Sequence, residues 1–332
     1  MDFHRLANSI SDPIAEGKPK GTRIMRSNVI TTLALSAGIF LSTLSGCAKN
    51  PTDGESVFIG LSSDERELRL GRQHHPQFIK AFGGEFGSPE LRKYINSIGQ
   101  LLAQTVERKR FKYTFTVLNS EIVNAFALPG GYIYITRGLL ALAENESEVA
   151  GVLAHEIGHV TARHSAQRYS SALAANIGMT VLGVLGSAAG VPSGVGRMAN
   201  FGAQVALQQY SQGQELEADM LGVRYMTRAG YSPDGMTSFF KKLRAHRDLE
   251  AREQGRNSVS HNIMSTHPRT EDRIRQAIKL AKERTVKNPK VRRAAYLKAI
   301  DGLIFGDDPS QGVRRGRSFM HPDLRIAFAV PP

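Results

Sequence analysis

Hydrophobic residues recur at helical spacing along most of the chain, and one short stretch near its middle alternates instead. Two helices are predicted first, and Ser88-Pro89 provides the N-cap and first-turn proline of the second. Residues 111–117 alternate between apolar and polar, which predicts a strand, and the apolar runs 122–128 and 132–136 flank a Pro-Gly-Gly turn. The pattern therefore predicts an α+β fold that is mainly helical, with a small antiparallel β-sheet.

The next predicted helix carries the residues around which the chain is organised. Asn145 can cap it, and apolar residues then repeat at helical spacing up to residue 160. His155 and His159 are four residues apart, so that both imidazoles project from one face and can bind one metal ion. Glu156 would stand beside the water on that metal. The motif is typical of a zinc hydrolase, and a surface helix with two histidines is the alternative.

A second predicted helix, which begins near Gln212, offers carboxylates for the same metal. Glu215 and Asp219 share one face of this helix at a spacing of four, whereas Glu217 between them is expected on a solvated face. Two histidines, one glutamate and an open position for water form a common ligand set of catalytic zinc. We therefore expect zinc as the cofactor, one ion per chain.

These motifs resemble those of the gluzincin zinc peptidases of the CAAX prenyl protease and HtpX family, in particular the periplasmic BepA-like lipoprotein members. The resemblance implies that Glu215 is the third zinc ligand and that Asp219 orients a ligand histidine. The stretch from Thr266 to Arg273 is similar to the THPxxxxR segment of this family. It implies that His267 is a removable fourth ligand, or that His267 or Arg273 stabilises the oxyanion. A histidine that only caps a helix or lines the cleft is the alternative.

The resemblance implies a zinc metalloendopeptidase, in which a zinc-activated water attacks the peptide bond and Glu156 is the general base. It implies an HExxH metallopeptidase domain whose small antiparallel sheet lies beside the active-site helix. The implied substrates are unfolded or misassembled envelope proteins, and the outer-membrane assembly machinery is a candidate partner. A largely latent chaperone or assembly factor for outer-membrane proteins is the alternative, although such a protein would not need a base at Glu156.

Two further segments bear on substrate binding. In the related peptidases an edge strand borders the cleft, so an extended substrate could pair with the backbone of Asn124, Ala125 and Phe126, unless these residues form a plain core strand. Residues 172–194, between the two metal-binding helices, are small and apolar and contain several glycines. They predict a mobile amphipathic hairpin over the cleft more than a membrane span, and contact with a membrane or a partner protein is an open alternative.

The amino-terminal part of the sequence predicts a lipid anchor. Two arginines precede an apolar run over 29–44, which is too short and too rich in small polar residues for a confident span and ends just before Cys47. This looks like a bacterial lipoprotein signal, in which the cysteine is acylated and the preceding residues are removed. An uncleaved anchor is the alternative. Ala48 then indicates the periplasmic face of the outer membrane, by resemblance to enterobacterial sorting signals. Met25 would be a more ordinary start than Met1.

Charge and length complete the picture. The 332 residues include 43 basic and 30 acidic side chains, for a formal net charge of +13. Such an excess can favour nucleic acid or an anionic membrane surface. We expect no nucleic acid as a partner, because no nucleic-acid-binding module accompanies the charge. Cys47 is the single cysteine, which excludes a disulfide framework and any other cysteine nucleophile.

We therefore divide the chain into four parts. Residues 1–46 are predicted to be an amino-terminal extension and lipoprotein signal peptide, and 47–62 a linker. Residues 63–285 form the predicted zinc metallopeptidase domain. Residues 286–332 are predicted to be a basic helical segment with a short remnant of an extra domain found in longer relatives, which would then be lost or truncated here.

Overall fold

The computed structural model describes residues 47–49, 56–58, 63–107, 109–172, 209–253, 263, 267, 271–284 and 286–331. Its strands are β1 (Cys47–Lys49), β2 (Ser56–Phe58), β3 (Thr114–Leu118), β4 (Ala125–Leu128), β5 (Tyr132–Thr136), β6 (Val313–Arg315), β7 (Ser318–His321) and β8 (Ile326–Ala329). Its helices are α1 (Asp64–Ala81), α2 (Pro89–Ala103), α3 (Arg137–Leu142), α4 (Glu146–Thr161), α5 (described over 164–172), α6 (Gln212–Arg228), α7 (Asp234–Glu253), α8 (Glu271–Glu283) and α9 (Arg293–Ala299). The predictions for 1–46 and for nearly all of 172–194 lie outside the described residues.

Helix α4 is the central element, and every one of its residues is buried. Helices α2, α6 and α7 and strands β4 and β5 all pack against it. The Asn145 side chain caps the helix by accepting a hydrogen bond from the backbone N–H of Glu148. The buried carboxylate of Glu146 accepts hydrogen bonds from the hydroxyls of Tyr94 (2.5 Å) and Tyr231 (2.7 Å). These contacts satisfy the polar groups at the start of the helix, which lets it run through the core.

The central sheet has three strands in the order β3-β5-β4. Strand β4 runs antiparallel to β5, with Ala125 opposite Ile135, whereas β3 runs parallel to β5, with Thr114 opposite Tyr132. The mainly helical α+β class is confirmed, and the sheet beside α4 proves to be mixed. Alternation predicts that strands form but carries no information on their relative direction, which here depends on the 119–124 connection crossing to the far side of β5.

Helices α4 and α6 approach each other closely enough for their backbones to touch. A Cβ atom added at Gly158 would lie 2.9 Å from the carbonyl oxygen of Ala218, and one added at Gly222 would lie 3.2 Å from the backbone nitrogen of His155. Contacts this short leave no room for a side chain at either glycine. The two glycines therefore set the spacing between the helices that carry the predicted metal ligands.

The carboxyl-terminal residues pack onto the same core. Tyr296 of α9 is fully buried and donates a hydrogen bond to the backbone oxygen of Leu140. The buried Arg137 guanidinium holds the backbone oxygens of Ile304 (2.9 Å) and Gly306 (2.5 Å). Beyond them, β6, β7 and β8 form an antiparallel sheet of their own. In the part of the chain that the structure describes, no helix has the length and apolar character needed to cross a membrane.

Candidate metal centre

Helix α4 presents two imidazoles toward the same point. The Nε2 atoms of His155 and His159 lie 3.0 Å apart, and their ring planes are nearly perpendicular, at 85°. His155 is 5% exposed and His159 is fully buried. The spacing of four residues therefore directs both rings to one side of a rigid buried helix.

Helix α6 supplies the carboxylate that faces these two rings. Ser211 forms a capping box with Gln214, which fixes Glu215 in the first turn of the helix. One oxygen of Glu215 lies 3.3 Å from Nε2 of His159, and the other lies 3.6 Å from Nε2 of His155. Glu215 is thus brought into the same cluster as the two histidines.

His267 completes the cluster from a different part of the chain. Its Nδ1 atom lies 2.8 Å from Glu215 Oε1 and 3.2 Å from His155 Nε2. The side chain is 3% exposed. Its backbone N–H donates to the carbonyl oxygen of Ile263, and the N–H of Ile263 in turn donates to the carbonyl oxygen of Val123 beside β4. These two hydrogen bonds tie the residue that carries the fourth imidazole to the central sheet.

The four side chains fit a tetrahedral divalent ion. One donor atom from each of His155, His159, Glu215 and His267 can be chosen so that all lie within 4.8 Å of one another. Donors about 2.0–2.1 Å from a tetrahedral zinc ion would be separated by about 3.3–3.4 Å. With Oε1 as the Glu215 donor, four separations between these atoms run from 2.8 to 3.3 Å, at or just below this value. Three imidazoles and a carboxylate are also the ligand types that zinc prefers.

Glu156 lies beside this cluster with its carboxylate unsatisfied. The residue is fully buried, and neither of its carboxylate oxygens forms a hydrogen bond with any described residue. One of them, Oε1, lies 3.5 Å from Nε2 of His267. A buried carboxylate without a donor is costly to the fold, which points to a role in chemistry.

An ion-pair network contacts the predicted ligands on the side away from the cluster. Asp219 Oδ1 lies 2.8 Å from Nδ1 of His155, and the Arg273 guanidinium donates to both oxygens of Asp219 at 2.8 Å. Arg273 also forms an ion pair with Glu215. Asp219 thus contacts the ring nitrogen of His155 that faces away from the cluster. Arg273, a candidate for oxyanion stabilisation, contacts two carboxylates of this network.

The network moves the pKa values of its members in opposite directions. Burial alone would lower the pKa of His155, but the hydrogen bond and charge of Asp219 outweigh it, so the pKa is raised. Burial likewise opposes ionisation of Asp219, yet the positive charge of Arg273 lowers its pKa. Burial lowers the pKa of His159 well below its usual range. The pKa of Glu215 is also well below its usual range, since the neighbouring histidines outweigh burial.

Three residues near His159 were not anticipated from the sequence as parts of a site. Nδ1 of His159 lies 3.0 Å from Nδ1 of His164, and Nε2 of His164 lies 3.1 Å from Oε2 of Glu217. The ring of Tyr210 stacks on that of His159, with 3.8 Å between centroids and 15° between planes. The prediction of a solvated face for Glu217 is wrong, because its side chain is only 20% exposed and pairs with His164.

The position of His164 depends on a backbone turn that has no clear sequence signal. Helix α4 ends at Thr161, and Arg163 adopts a left-handed conformation with φ of 64°. The buried carboxylate of Glu67 forms an ion pair with Arg163, which ties this turn to α1. The turn brings His164 beside His159. The spacing of five between the two histidines is the only trace of this contact in the sequence.

Taken as a class, a buried HExxH helix and a glutamate from a second helix define a gluzincin-type metallopeptidase site. Peptidase family M48 matches residues 89–281, and the chain belongs to this family. The expectation of a metalloprotease is thereby confirmed at the level of the family.

Curated proteins similar to this chain carry peptidase names. The beta-barrel assembly-enhancing protease of Yersinia pestis is 34% identical over 237 residues, which are 68% of this chain and 46% of that protein. Its counterpart in Escherichia coli K12 is 30% identical over 265 residues, which are 77% of this chain and 52% of that protein. The mitochondrial metalloendopeptidase OMA1 of Schizosaccharomyces pombe is 27% identical over 194 residues, which are 58% of this chain and 54% of that protein. The chain thus spans about half the length of these relatives.

Proposed function

We propose that this protein is a zinc-dependent metalloendopeptidase that hydrolyses peptide bonds. The observation that carries the proposal is the meeting of four buried donors at tetrahedral separations beside the unsatisfied carboxylate of Glu156. A purely structural metal site would have no use for a buried carboxylate that no donor satisfies, and its fourth ligand would not have to leave. A peptidase needs a base at this position.

His155, His159 and Glu215 are the proposed ligands of zinc. When bound, zinc supplies Lewis-acid activation of water and of the peptide carbonyl. Glu156 accepts a proton at its carboxylate from the attacking water and returns it to the leaving amine nitrogen. Asp219 and Arg273 keep the donor atoms of His155 and Glu215 directed at the metal. The fit between these residues and zinc rests on the donor set and its separations.

His267 is proposed to regulate this site by occupying the fourth ligand position at rest. Its Nδ1 atom faces the cluster, 2.8 Å from Glu215 and 3.2 Å from His155, which favours a ligand over a residue that only lines the cleft. Substrate binding would then have to displace the imidazole. The alternative role, in which His267 holds the oxyanion, needs the ring to turn away from the ligand position.

The substrate is proposed to bind as an extended strand along β4. This strand pairs with β5 on one side and lies at the edge of the sheet, next to α4. Two carbonyl groups near its outer edge already have donors, because Ile263 bonds to Val123 and Ser165 bonds to Ala127. Asn124 uses both its backbone N–H and its carbonyl oxygen in bonds to Thr136. A substrate is therefore left with Ala125 and Phe126, between these two contacts, as the residues with which it can pair.

Zinc analysis of purified variants tests the ligand set. We expect about one zinc ion per chain in the wild type and a loss of bound zinc in His155→Ala, His159→Ala and Glu215→Ala, because each removes one of three protein ligands. His75→Ala is the matched control, since His75 is a half-buried histidine bonded to Tyr134 away from the cluster. Full occupancy in Glu215→Ala would remove that residue from the site.

The cell envelope is the proposed location, with Cys47 as the acylated residue, and misassembled envelope proteins are the proposed substrates. Support comes from the names of the bacterial relatives, which are beta-barrel assembly-enhancing proteases, and from the signal-like sequence before Cys47. Incorporation of labelled palmitate into the wild type but not into Cys47→Ser would support the anchor. Equal labelling of the two proteins would contradict it.

A latent chaperone is the second candidate, because His267, close to both Glu215 and His155, would fill the open ligand position at rest. Incubation of an unfolded porin with the wild type and with Glu156→Gln separates the two. A peptidase cleaves the porin only when Glu156 is present. A chaperone prevents aggregation of the porin equally well in both proteins and cleaves it in neither.

A further inference from the structure

Helix α6 reaches the two ligand histidines by two different routes. Asp219 contacts His155 directly, at 2.8 Å from its Nδ1 atom. Glu217, two residues earlier, reaches His159 only through the ring of His164. Both routes end on the Nδ1 atom, which leaves Nε2 of each ring facing the cluster. Glu217 and His164 together therefore contact His159 at the atom that corresponds to the one Asp219 contacts directly in His155.

The hydrogen positions along the second route follow from the chemistry of the rings. Two Nδ1 atoms that face each other at 3.0 Å can form a good hydrogen bond only if one ring carries the proton and the other accepts it. A metal-binding His159 needs a bare Nε2, so its proton sits on Nδ1. His164 then accepts at Nδ1 and carries its own proton on Nε2, where Oε2 of Glu217 lies 3.1 Å away and accepts it.

The hydrogen bond to His164 is the contact at Nδ1 of His159 that can select the ring orientation, as the Glu215 carboxylate does on the Nε2 side. Tyr210 stacks on one face of the imidazole, which restricts the plane of the ring. Stacking does not distinguish the ring from its flipped form, because a 180° flip exchanges Nδ1 with a carbon atom in the same plane. A directional acceptor beside Nδ1 makes that distinction.

We propose that His164 and Glu217 are positioning residues, which hold His159 as the Nδ1-protonated tautomer and so set the affinity of the site for its metal. The proposal rests on the metal site put forward above. His164 and Glu217 act through His159 and do not bind the metal themselves.

Two substitutions at His164 separate this role from simple packing. In His164→Asn, the amide oxygen can occupy the place of the Nδ1 atom and still accept from His159. In His164→Gln, the amide lies at the place of Nε2, toward Glu217, and the acceptor beside His159 is lost. Both variants remove the ring and leave a polar side chain. They therefore differ mainly in whether His159 keeps its partner.

Zinc dissociation constants of the full chain, measured by competition with a fluorescent chelator, provide the test. We expect His164→Gln to bind zinc about 10–100-fold more weakly than the wild type, and His164→Asn to stay within a few-fold of it. Glu217→Gln should also stay within a few-fold, because its amide oxygen can accept from His164. Glu217→Ala should bind zinc more weakly than Glu217→Gln but more tightly than His164→Gln. Melting temperatures, with His75→Asn as the control for loss of a half-buried histidine, report any effect on folding.

A second readout does not depend on affinity. In zinc-loaded protein with ¹⁵N-labelled histidine, the His159 Nδ1 resonance should be that of a protonated, hydrogen-bonded nitrogen, and in His164→Gln it should shift to that of a protonated nitrogen without this hydrogen bond. Equal weakening of zinc binding in His164→Asn and His164→Gln would reduce His164 to a packing role and overturn the proposal. Tight binding by the wild type with no change in His164→Gln would overturn this proposal alone. Absence of zinc binding in the wild type would overturn the metal site as well.

Discussion

Gly158 and Ala218 are in backbone contact across two helices, and a Cβ atom at Gly158 would lie 2.9 Å from the carbonyl oxygen of Ala218. This contact explains how proposed ligands from α4 and α6 come within 3.3 Å of each other, at His159 and Glu215. A bulkier residue at 158 would separate the two helices. The glycine inside the HExxH motif is thus a requirement of geometry here.

Gly158→Ala should therefore destabilise the protein in spite of the better helix propensity of alanine. We expect a loss of about 1–3 kcal/mol in the free energy of unfolding, from overpacking of a backbone contact, with weaker zinc binding. Gly213→Ala, in α6, is the control, because nothing lies within 4 Å of its added Cβ. That substitution should be neutral or stabilise by up to about 1 kcal/mol. Urea denaturation of both variants checks this, and equal stability would refute the steric account.

Arg273 should be important for stability as well as for the site. It is 2% exposed and bridges Asp219 and Glu215, so Arg273→Met would leave two buried carboxylates without their cation. We expect a loss of about 3–5 kcal/mol in the free energy of unfolding of metal-free protein. Arg247→Met is the control, because its pair with Asp248 is about half exposed and should change stability by less than about 1 kcal/mol. Similar losses in the free energy of unfolding for the two variants would show that Arg273 does not stabilise the two buried carboxylates.

Glu107 should contribute a pH-dependent part of the stability outside the metal site. Burial opposes its ionisation, but hydrogen bonds from its own backbone, Arg224 and Tyr225, and the charge of Arg228, outweigh burial and lower its pKa below 4.5. The stabilisation is therefore complete above pH about 4.5 and is lost as the pH falls through the folded-state pKa.

The melting temperature of the wild type should accordingly fall more steeply than that of Glu107→Gln on acidification below about pH 4.5. Protonation of the metal ligands affects both proteins alike, so the difference between the two curves reports Glu107. Parallel curves would show that this carboxylate has the same pKa in the folded and unfolded chain.

His267→Ala distinguishes the two roles proposed for this histidine. If the imidazole occupies the fourth ligand position at rest, its removal should raise basal cleavage of casein and weaken zinc binding slightly. If it stabilises the oxyanion, cleavage should fall by about 10²–10³-fold, the usual effect of losing one such donor. The separations of 2.8 and 3.2 Å from Glu215 and His155 favour the first outcome. Unchanged cleavage would exclude both.

The parts of the fold that could be predicted from sequence are those specified locally. The N-caps at Ser88 and Asn145 are present, and α6 begins at Gln212 as predicted, because caps and periodicity act over a few residues. The predicted strand over 111–117 begins three residues late, at Thr114. The parallel pairing of β3 with β5 could not be predicted, since it depends on contacts between distant segments.

The same limit applies to the metal centre. His155, His159 and Glu215 could be proposed from spacing, because each pair of motif residues shares one face of one helix. His164 could not, since it reaches His159 only through the left-handed turn at Arg163, which Glu67 holds from a distant helix. A view of α6 as an isolated helix also leaves Glu217 on its surface. The positions of both His164 and Glu217 depend on contacts between separate elements.

Glu156→Gln tests the central claim most directly, because it keeps the ligand set and removes the base. Zinc content and casein cleavage should be measured on the same preparations of this variant and of the wild type. We expect about one zinc ion per chain in both proteins, with cleavage lower in the variant by at least the ~10²–10⁴-fold typical of a lost general base. Undiminished cleavage by Glu156→Gln at full zinc occupancy would contradict the account.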